Sequence, residues 1–374
     1  MANDRFLDRH GIASPPHPAR ERLAALVVTE PAAALAVLRD RRLINSMSVS
    51  DQIGRVAANT ESLLATVDAT PLPQTRPEDH TKRKRVLVAL IKALETGFDA
   101  RRANALFDAA LAPFDGAARF DAAADALQPA VSRVLFDLLR IEHPDPAGVM
   151  RHTAAYMLNC HPIGARRNLE TIADADAAIF SAMREPVRRA WLEGEGGDAP
   201  IVHTARGLAA GEADPLELLT RATTGVLLGM DQLLNAYVHV VFAAMSASGD
   251  ARDAFFDAER LSADIDQVLT RCSSGRYVFR KALEDCEFEG RRVAAGAHVC
   301  IDIAAQPRED VDYRPMAFAG GRHKCPGEAL TMKMLRATLP GVVARFSDCR
   351  PVETTWKFGV FSRCIEHLEV VRDR

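Results

Sequence analysis

The sequence has no C-x-x-C pair, and its seven cysteines (Cys160, Cys272, Cys286, Cys300, Cys325, Cys349 and Cys364) are odd in number and scattered. That argues against a disulfide framework and fits a reducing compartment. An excess of one charge is missing too. Fifty acidic residues against 47 basic ones leave a net charge of −3, which argues against a nucleic-acid binder built on bulk charge. There is no uninterrupted apolar run of about 18 residues to span a bilayer. The opening stretch, Met-Ala-Asn-Asp-Arg-Phe-Leu-Asp-Arg-His, is charged where a signal peptide would be apolar. The expectation is a cytoplasmic protein with neither a membrane nor a nucleic acid as partner.

What is present is alanine and leucine at helical spacing, in a chain of 374 residues that is 48% hydrophobic and so able to bury a large core. Segments 19–40, 101–112, 121–141, 170–193 and 253–271 read as amphipathic helices. They are separated by clusters such as Pro144-Asp145-Pro146 and the stretch from Gly194 to Pro200. The first 24 or so residues, with Pro15, Pro16 and Pro18, are expected to run extended along the surface of one domain covering residues 1–374. The longest helix is predicted from Leu216 to about Ser248, with Asp214 as N-cap, Pro215 at the first helical position, Glu217 in the first turn and Gly249 at the stop. It would be roughly 50 Å long. It is apolar nearly all round, which predicts a central, buried position.

Strand signals are confined to the last third: Tyr277 to Arg280, Cys286 to Glu289, Val299 to Ile303, and an alternating edge strand from Cys364 to Val370. The fold class expected is mainly α with a small segregated β-sheet, an α+β layout.

The chemistry-bearing stretch is Phe318-Ala319-Gly320-Gly321-Arg322-His323-Lys324-Cys325-Pro326-Gly327, followed by a helical run from Glu328. Two glycines permit a tight loop and close backbone approach to a flat ligand. A cysteine just before a helix N-terminus meets unpaired N–H groups and a dipole that favour a thiolate. A thiolate there is a competent axial ligand for heme iron. Two plainer readings stand beside it: an inert buried cysteine, and a zinc site at His323 and Cys325, for which no complementary ligand pair lies nearby.

This stretch resembles the heme-binding signature of the cytochromes P450, F-x-x-G-x-H/R-x-C-x-G, at every fixed position: Phe318, Gly321, His323, Cys325 and Gly327. The resemblance, to the soluble bacterial type, implies the P450 fold and a heme b whose iron is ligated by Cys325. Glu78-Asp79-His80-Thr81-Lys82-Arg83-Lys84 looks like the family's D-H-x-x-x-R with Lys84 in place of arginine, which implies His80 and Lys84 near a heme propionate. Tyr277-Val278-Phe279-Arg280 through Gly290 and Ala295-Gly296 is similar to the family's strand–turn–strand and implies Arg280 as another propionate partner, with His323 a further one.

Three departures coincide. The family's E-x-x-R falls on Gln267-Val268-Leu269-Thr270, and the neighbouring Asp266 and Arg271, five residues apart, share a helix face poorly. The segment from Gln306 to Ala317, where the family carries an arginine pairing with that motif, looks shortened. In the central helix the family's A/G-G-x-D/E-T reads Leu228-Gly229-Met230-Asp231-Gln232, which keeps the glycine and the acid but not the threonine. Asp231 and Gln232 are the candidates for distal proton or substrate contacts, although an amide is a poor proton carrier. The ordinary alternative for Asp231 is a cap on a helix distortion.

The resemblance implies a monooxygenase-type tailoring enzyme that oxidises a small biosynthetic metabolite in secondary metabolism. Electrons would come from a separate ferredoxin- or flavodoxin-type donor, for which Lys82, Arg83, Arg85, Arg322 and Lys324 would form a basic docking face. The missing threonine leaves open a heme-thiolate enzyme of other chemistry, namely peroxide-dependent oxidation, radical coupling or dehydration. A different class, a non-catalytic activating partner of a biosynthetic enzyme such as a glycosyltransferase, is disfavoured by the retained cysteine loop.

Overall fold

Three-residue strands near the start of the chain find their partners at its far end. In the computed structural model, which describes residues 24–45, 77–159, 166–192, 199–208, 214–272, 274–275, 277–288, 290–303, 317–321, 324–359 and 362–373, strand β1 (Leu26–Val28), helix α1 (Pro31–Arg39) and strand β2 (Leu43–Asn45) come first. Helices α2 (Pro77–Gly97) and α3 (Ala100–Leu111) lead to β3 (Arg119–Asp121). A π-helical turn over Ala122–Leu127 then runs into α4 (Gln128–Leu139). Helices α5 (Pro146–Asn159), α6 (Arg166–Leu192), α7 (Pro200–Arg206) and α8 (Pro215–Ser246) follow. Three short helices, α9 (Gly249–Phe256), α10 (Ala258–Ala263) and α11 (Ile265–Cys272), precede strands β4 (Tyr277–Ala282), β5 (Cys286–Phe288), β6 (Arg291–Val293) and β7 (His298–Asp302). Helix α12 (Glu328–Ala344) and the long hairpin β8 (Cys349–Phe358) and β9 (Arg363–Arg372) complete the order.

Helix α8 is the axis of this arrangement. Asp214 caps it by accepting a hydrogen bond from the Glu217 N–H at 2.8 Å, with Pro215 at the first position. Leu219, Leu227, Leu228, Leu233, Tyr237, Val240 and Val241 are all buried, and the helix is apolar enough to be packed on nearly every side. By length and composition it is apolar enough to cross a membrane, but 83% of its most apolar window is buried inside the protein. The Tyr237 hydroxyl meets Thr338 Oγ1 at 2.5 Å and ties α8 to α12, the helix that starts beside Cys325.

The strands form a four-stranded sheet in the order β1-β7-β4-β2, a three-stranded sheet β3-β9-β8 and the hairpin β5-β6. β1 runs parallel to β7 with Val27 opposite Cys300, and β2 runs antiparallel to β4 with Ile44 opposite Lys281.

Several sequence expectations need correction. The segment 19–40 is not one helix, because β1 occupies Leu26–Val28 and only Pro31–Arg39 is helical. The segment 253–271 breaks into three helices, with Asp257 capping the second through the N–H groups of Glu259 and Arg260. Gly249 is left-handed at φ +55°, but it opens α9 and does not end α8, whose cap is Ala247. Strand structure also reaches into the first third of the chain, since β1, β2 and β3 are pinned by pairing to later strands and too short to show alternation. β9 is the middle strand of its sheet, not an edge. The expected extended N-terminal segment lies almost wholly outside the described residues, as does nearly all of the shortened stretch 306–317.

Replacing Asp214 with alanine removes the one cap at the start of α8. Urea unfolding of Asp214→Ala is expected to show a loss of about 1 kcal/mol, and an unchanged midpoint would contradict the importance of this cap.

Candidate functional site

The cysteine loop closes on itself through the backbone. Cys325 N–H donates to Phe318 O at 2.9 Å, and Lys324 N–H donates to Gly321 O at 3.2 Å. Phe318 packs against the main hydrophobic core. Gly321 takes φ +69°, and a Cβ there would sit 2.1 Å from Leu38 O, so only glycine lets the loop lie against the end of α1. Gly327 precedes the first turn of α12 and accepts from Thr331 N–H at 2.9 Å.

The backbone N–H groups of Gly327 and Glu328 both donate to the Cys325 sulfur. This is the helix-start arrangement that favours a thiolate. Burial nevertheless outweighs it and pushes the thiol above the ordinary cysteine value. The pull of the helix start toward a thiolate is thus opposed by the desolvation around the sulfur. Cys325 has accessible surface and yet is deep enough for desolvation to dominate. A side chain that is both accessible and deep lines a recess.

The opposite element, α8, opens a recess of its own. Gly229 is exposed in the middle of an otherwise buried helix, and a Cβ there would meet nothing within 4 Å. Gly225 and Gln232 lie on the same face, four residues before and three after, and both are only partly buried. Gln232 thus stands at the edge of open space, while Asp231 beside it is 3% exposed.

Asp231 is held by amides. Its Oδ2 accepts from Gln232 Nε2 and from Asn235 Nδ2, each at 3.3 Å, and its Oδ1 has no hydrogen-bond partner. Burial raises this carboxyl to about 7, against the smaller opposing effect of the two amide donors. Helix α8 continues through Asp231 without a break, so the alternative of a cap on a helix distortion does not hold.

Arg280 on β4 is 2% exposed and donates from Nη1 to Phe279 O at 3.0 Å. Lys84 is half-buried on α2. The side chain of His80, also on α2, and the residues Arg322 and His323 lie outside the described residues. Among the described residues no group of three or more His, Cys, Asp or Glu side chains forms a metal cluster; His323, on which the zinc reading turns, lies outside them. The donor set fits a thiolate-ligated porphyrin: one deep, accessible sulfur, two backbone N–H groups on it, and a glycine loop beside it.

Residues that sequence reasoning missed also belong here. Ser274 Oγ donates to Gln232 Oε1. His239 Nδ1 bonds Cys272 O at 2.7 Å at the end of α11. Asn235 and His239 follow Gln232 at three- and four-residue steps on an otherwise apolar helix, and this polar stripe is the signal that could have found those two. On α11, Asp266 accepts from Arg336 of α12 at 2.9 Å. Farther along α8, Arg221 reaches buried Asp176 of α6 at 3.0 Å and stacks on Phe180.

No protein-family model and no curated protein sequence matches the chain. Solved structures do. P450BioI, in complex with an acyl carrier protein ligated with hexadec-9Z-enoic acid, superposes with TM-score 0.76 at 13% identity, covering 99% of this chain and 97% of that one. The chain has the cytochrome P450 fold. P450 RauA, complexed with a biosynthetic intermediate of aurachin RE, gives TM-score 0.72 at 21% identity over 99% and 96% of the two chains. The bacillaene polyketide synthase cytochrome P450 PksS of Bacillus subtilis 168 gives 0.72 at 18% identity over 99% and 97%. Within this P450 fold the long axial helix is α8, and the loop before α12 carries Cys325.

Two measurements follow from this geometry. Gly321→Ala combines a left-handed φ with a backbone collision, so denaturant unfolding is expected to show a loss of at least about 2 kcal/mol. Asp231 is protonated in the folded state up to about 7 and ionises at its ordinary value near 3.8 when unfolded. Its contribution to stability is therefore complete below about pH 4 and is lost as pH rises through about 7. Asp231→Asn is expected to melt several degrees higher than the parent at about pH 8 and to gain much less at about pH 4. Parallel melting curves across that range would contradict the burial of an ionising carboxyl.

Proposed function

We propose that the chain is a single-domain heme-thiolate oxidoreductase of cytochrome P450 type, acting in the cytoplasm as a monooxygenase-type tailoring enzyme. One observation carries this reading: in a P450 fold, the Cys325 sulfur is deep yet accessible and receives two backbone N–H groups from the start of α12. Cys325 would ligate the iron, while Phe318, Gly321 and Gly327 shape the loop beneath the porphyrin. His80, Lys84, Arg280 and His323 would meet the propionates with positive or donor groups. A heme held there supplies dioxygen activation, aided by electron donation from the thiolate.

The chain's own residues divide the remaining work. The apolar walls of α8 exclude water around the recess at Gly229. Asp231 holds a proton near neutrality, which suits a group that must both give and take one. Gln232 stands where a substrate would touch α8, and its amide donates and accepts but does not carry protons. The substrate proposed is a small biosynthetic metabolite, free or delivered on a carrier. The relatives in complex with an acyl carrier protein and with an aurachin intermediate support that class. Electrons would come from a ferredoxin- or flavodoxin-type donor docking on the side of the cysteine loop. Arg85 and Lys324 are exposed, Lys324 in a pair with Glu328; with Lys82, Arg83 and Arg322 they would form the proposed face.

A second reading keeps the heme and changes the reaction to peroxide use, radical coupling or dehydration. The lack of a hydroxyl at Gln232, whose amide is engaged with Ser274, favours it. A requirement of turnover for dioxygen and an electron donor separates the two readings. The heme itself is tested spectroscopically. The purified protein is expected to bind heme one to one and to give a ferrous–CO complex with a strongly red-shifted Soret band, which Cys325→Ser abolishes. A chain that takes up no heme, or a Cys325→Ser variant with an unchanged spectrum, refutes the proposal.

A further inference from the structure

Buried polar side chains gather on one face of α8: Asp231, Asn235 and His239, joined by Ser274 from the turn before β4 and by Ser362 and Arg363 from the start of β9. Ser274 is fully buried, and its own place is set by neighbours. Its carbonyl accepts from Arg363 N–H at 3.0 Å, and the adjacent Gly275 bridges to Ser362. Two turns along α8 from Gln232, His239 holds the carbonyl of Cys272. The turn is thus pinned on both sides before Ser274 reaches Gln232.

A hydroxyl that donates to Gln232 Oε1 decides which way round the amide stands. With the oxygen committed to Ser274, the Nε2–H group is left facing Asp231 Oδ2. Asn235 adds a second amide N–H to the same oxygen, while its Nδ2 also serves the Asp231 carbonyl at 2.8 Å. Both donors therefore fall on Oδ2. Oδ1, which has no partner, is the oxygen left free to hold a proton.

We propose that Ser274 is a positioning residue that acts through Gln232 on Asp231: its hydroxyl fixes the amide so that Oδ2 is always the acceptor and Oδ1 always the proton-bearing oxygen. This supplies from a neighbouring turn the hydroxyl that α8 lacks at position 232. The inference rests on the proposed role of Asp231, but its test does not require heme.

The groups around the carboxyl are few. Cys364 of β9 faces it, and burial first, then Asp231, push that thiol up to about 12, so it stays neutral. His239 is driven down to about 3, by burial first and then by Arg363, and is neutral as well. Arg363 lies over the Trp356 ring at 5.8 Å. The amide donors are then what a single substitution can change.

The experiment follows the infrared band of the protonated carboxyl against pH, in heme-free and heme-loaded protein, with Asp231→Asn identifying the band by its loss. Ser274→Ala releases the amide and weakens its bond to the charged carboxylate. The midpoint is expected to rise by on the order of half a pH unit or more. Ser274→Thr restores it, and Gln232→Leu reproduces the rise. In the loaded enzyme the corresponding limb of kcat against pH moves with it. A midpoint unmoved in Ser274→Ala, or in Gln232→Leu, overturns the proposal. If Ser274→Ala does not fold, Ser274→Cys, whose thiol is a weak donor to the amide, is read in its place. Failure to bind heme would defeat the reading of Cys325 and leave the infrared result standing.

Discussion

The sulfur of Cys325 lies where two influences oppose each other: N–H groups at the start of α12 favour negative charge, and the loss of water disfavours it. Burial prevails in the protein by itself, so the thiol holds its proton. A metal ion reverses that balance, because a coordinating thiol is deprotonated outright. Cofactor binding would then release a proton and draw on an arrangement of donors that is already in place. The loop needs little reorganisation for this, since its shape is imposed by Gly321 against Leu38 and by Phe318 in the core. Rigidity here comes from packing, and charge would come with the ligand.

The contacts described around α11 are of two kinds. A buried ion network costs most when one partner is left unpaired. Here the helix is held by neutral and peripheral contacts: the His239 imidazole on the Cys272 carbonyl, and Asp266 with Arg336 at the half-exposed surface. His239 suits its place because burial keeps it uncharged. Such contacts secure position without placing an isolated charge in the core.

Much of this was legible in the sequence. The apolar run after Pro215 announced a buried central helix, with Asp214 as its cap. The spacing of Phe318, Gly321, His323, Cys325 and Gly327 marked the loop. The short strands were not legible, because three residues such as Leu26–Val28 carry too little alternation and owe their conformation to partners almost three hundred positions away. The desolvation of Cys325 was not legible for a similar reason: the helix start is a local feature visible in sequence, whereas burial depends on the whole fold. Asp231 was found from its motif. Ser274 was not, since nothing in its own neighbourhood shows that it meets Gln232, 42 residues earlier.

The pairing of early strands with late ones has a consequence for how the protein comes into being. Leu26 sits opposite Val299, and Arg119 opposite Val371. On a ribosome, therefore, neither sheet can close until the chain has emerged past β7 in one case and β9 in the other. The helices, with their local contacts, can assemble earlier. Until then β1, β2 and β3 present unsatisfied edges to the surrounding solution, a period during which a chaperone or a crowded neighbour competes for them.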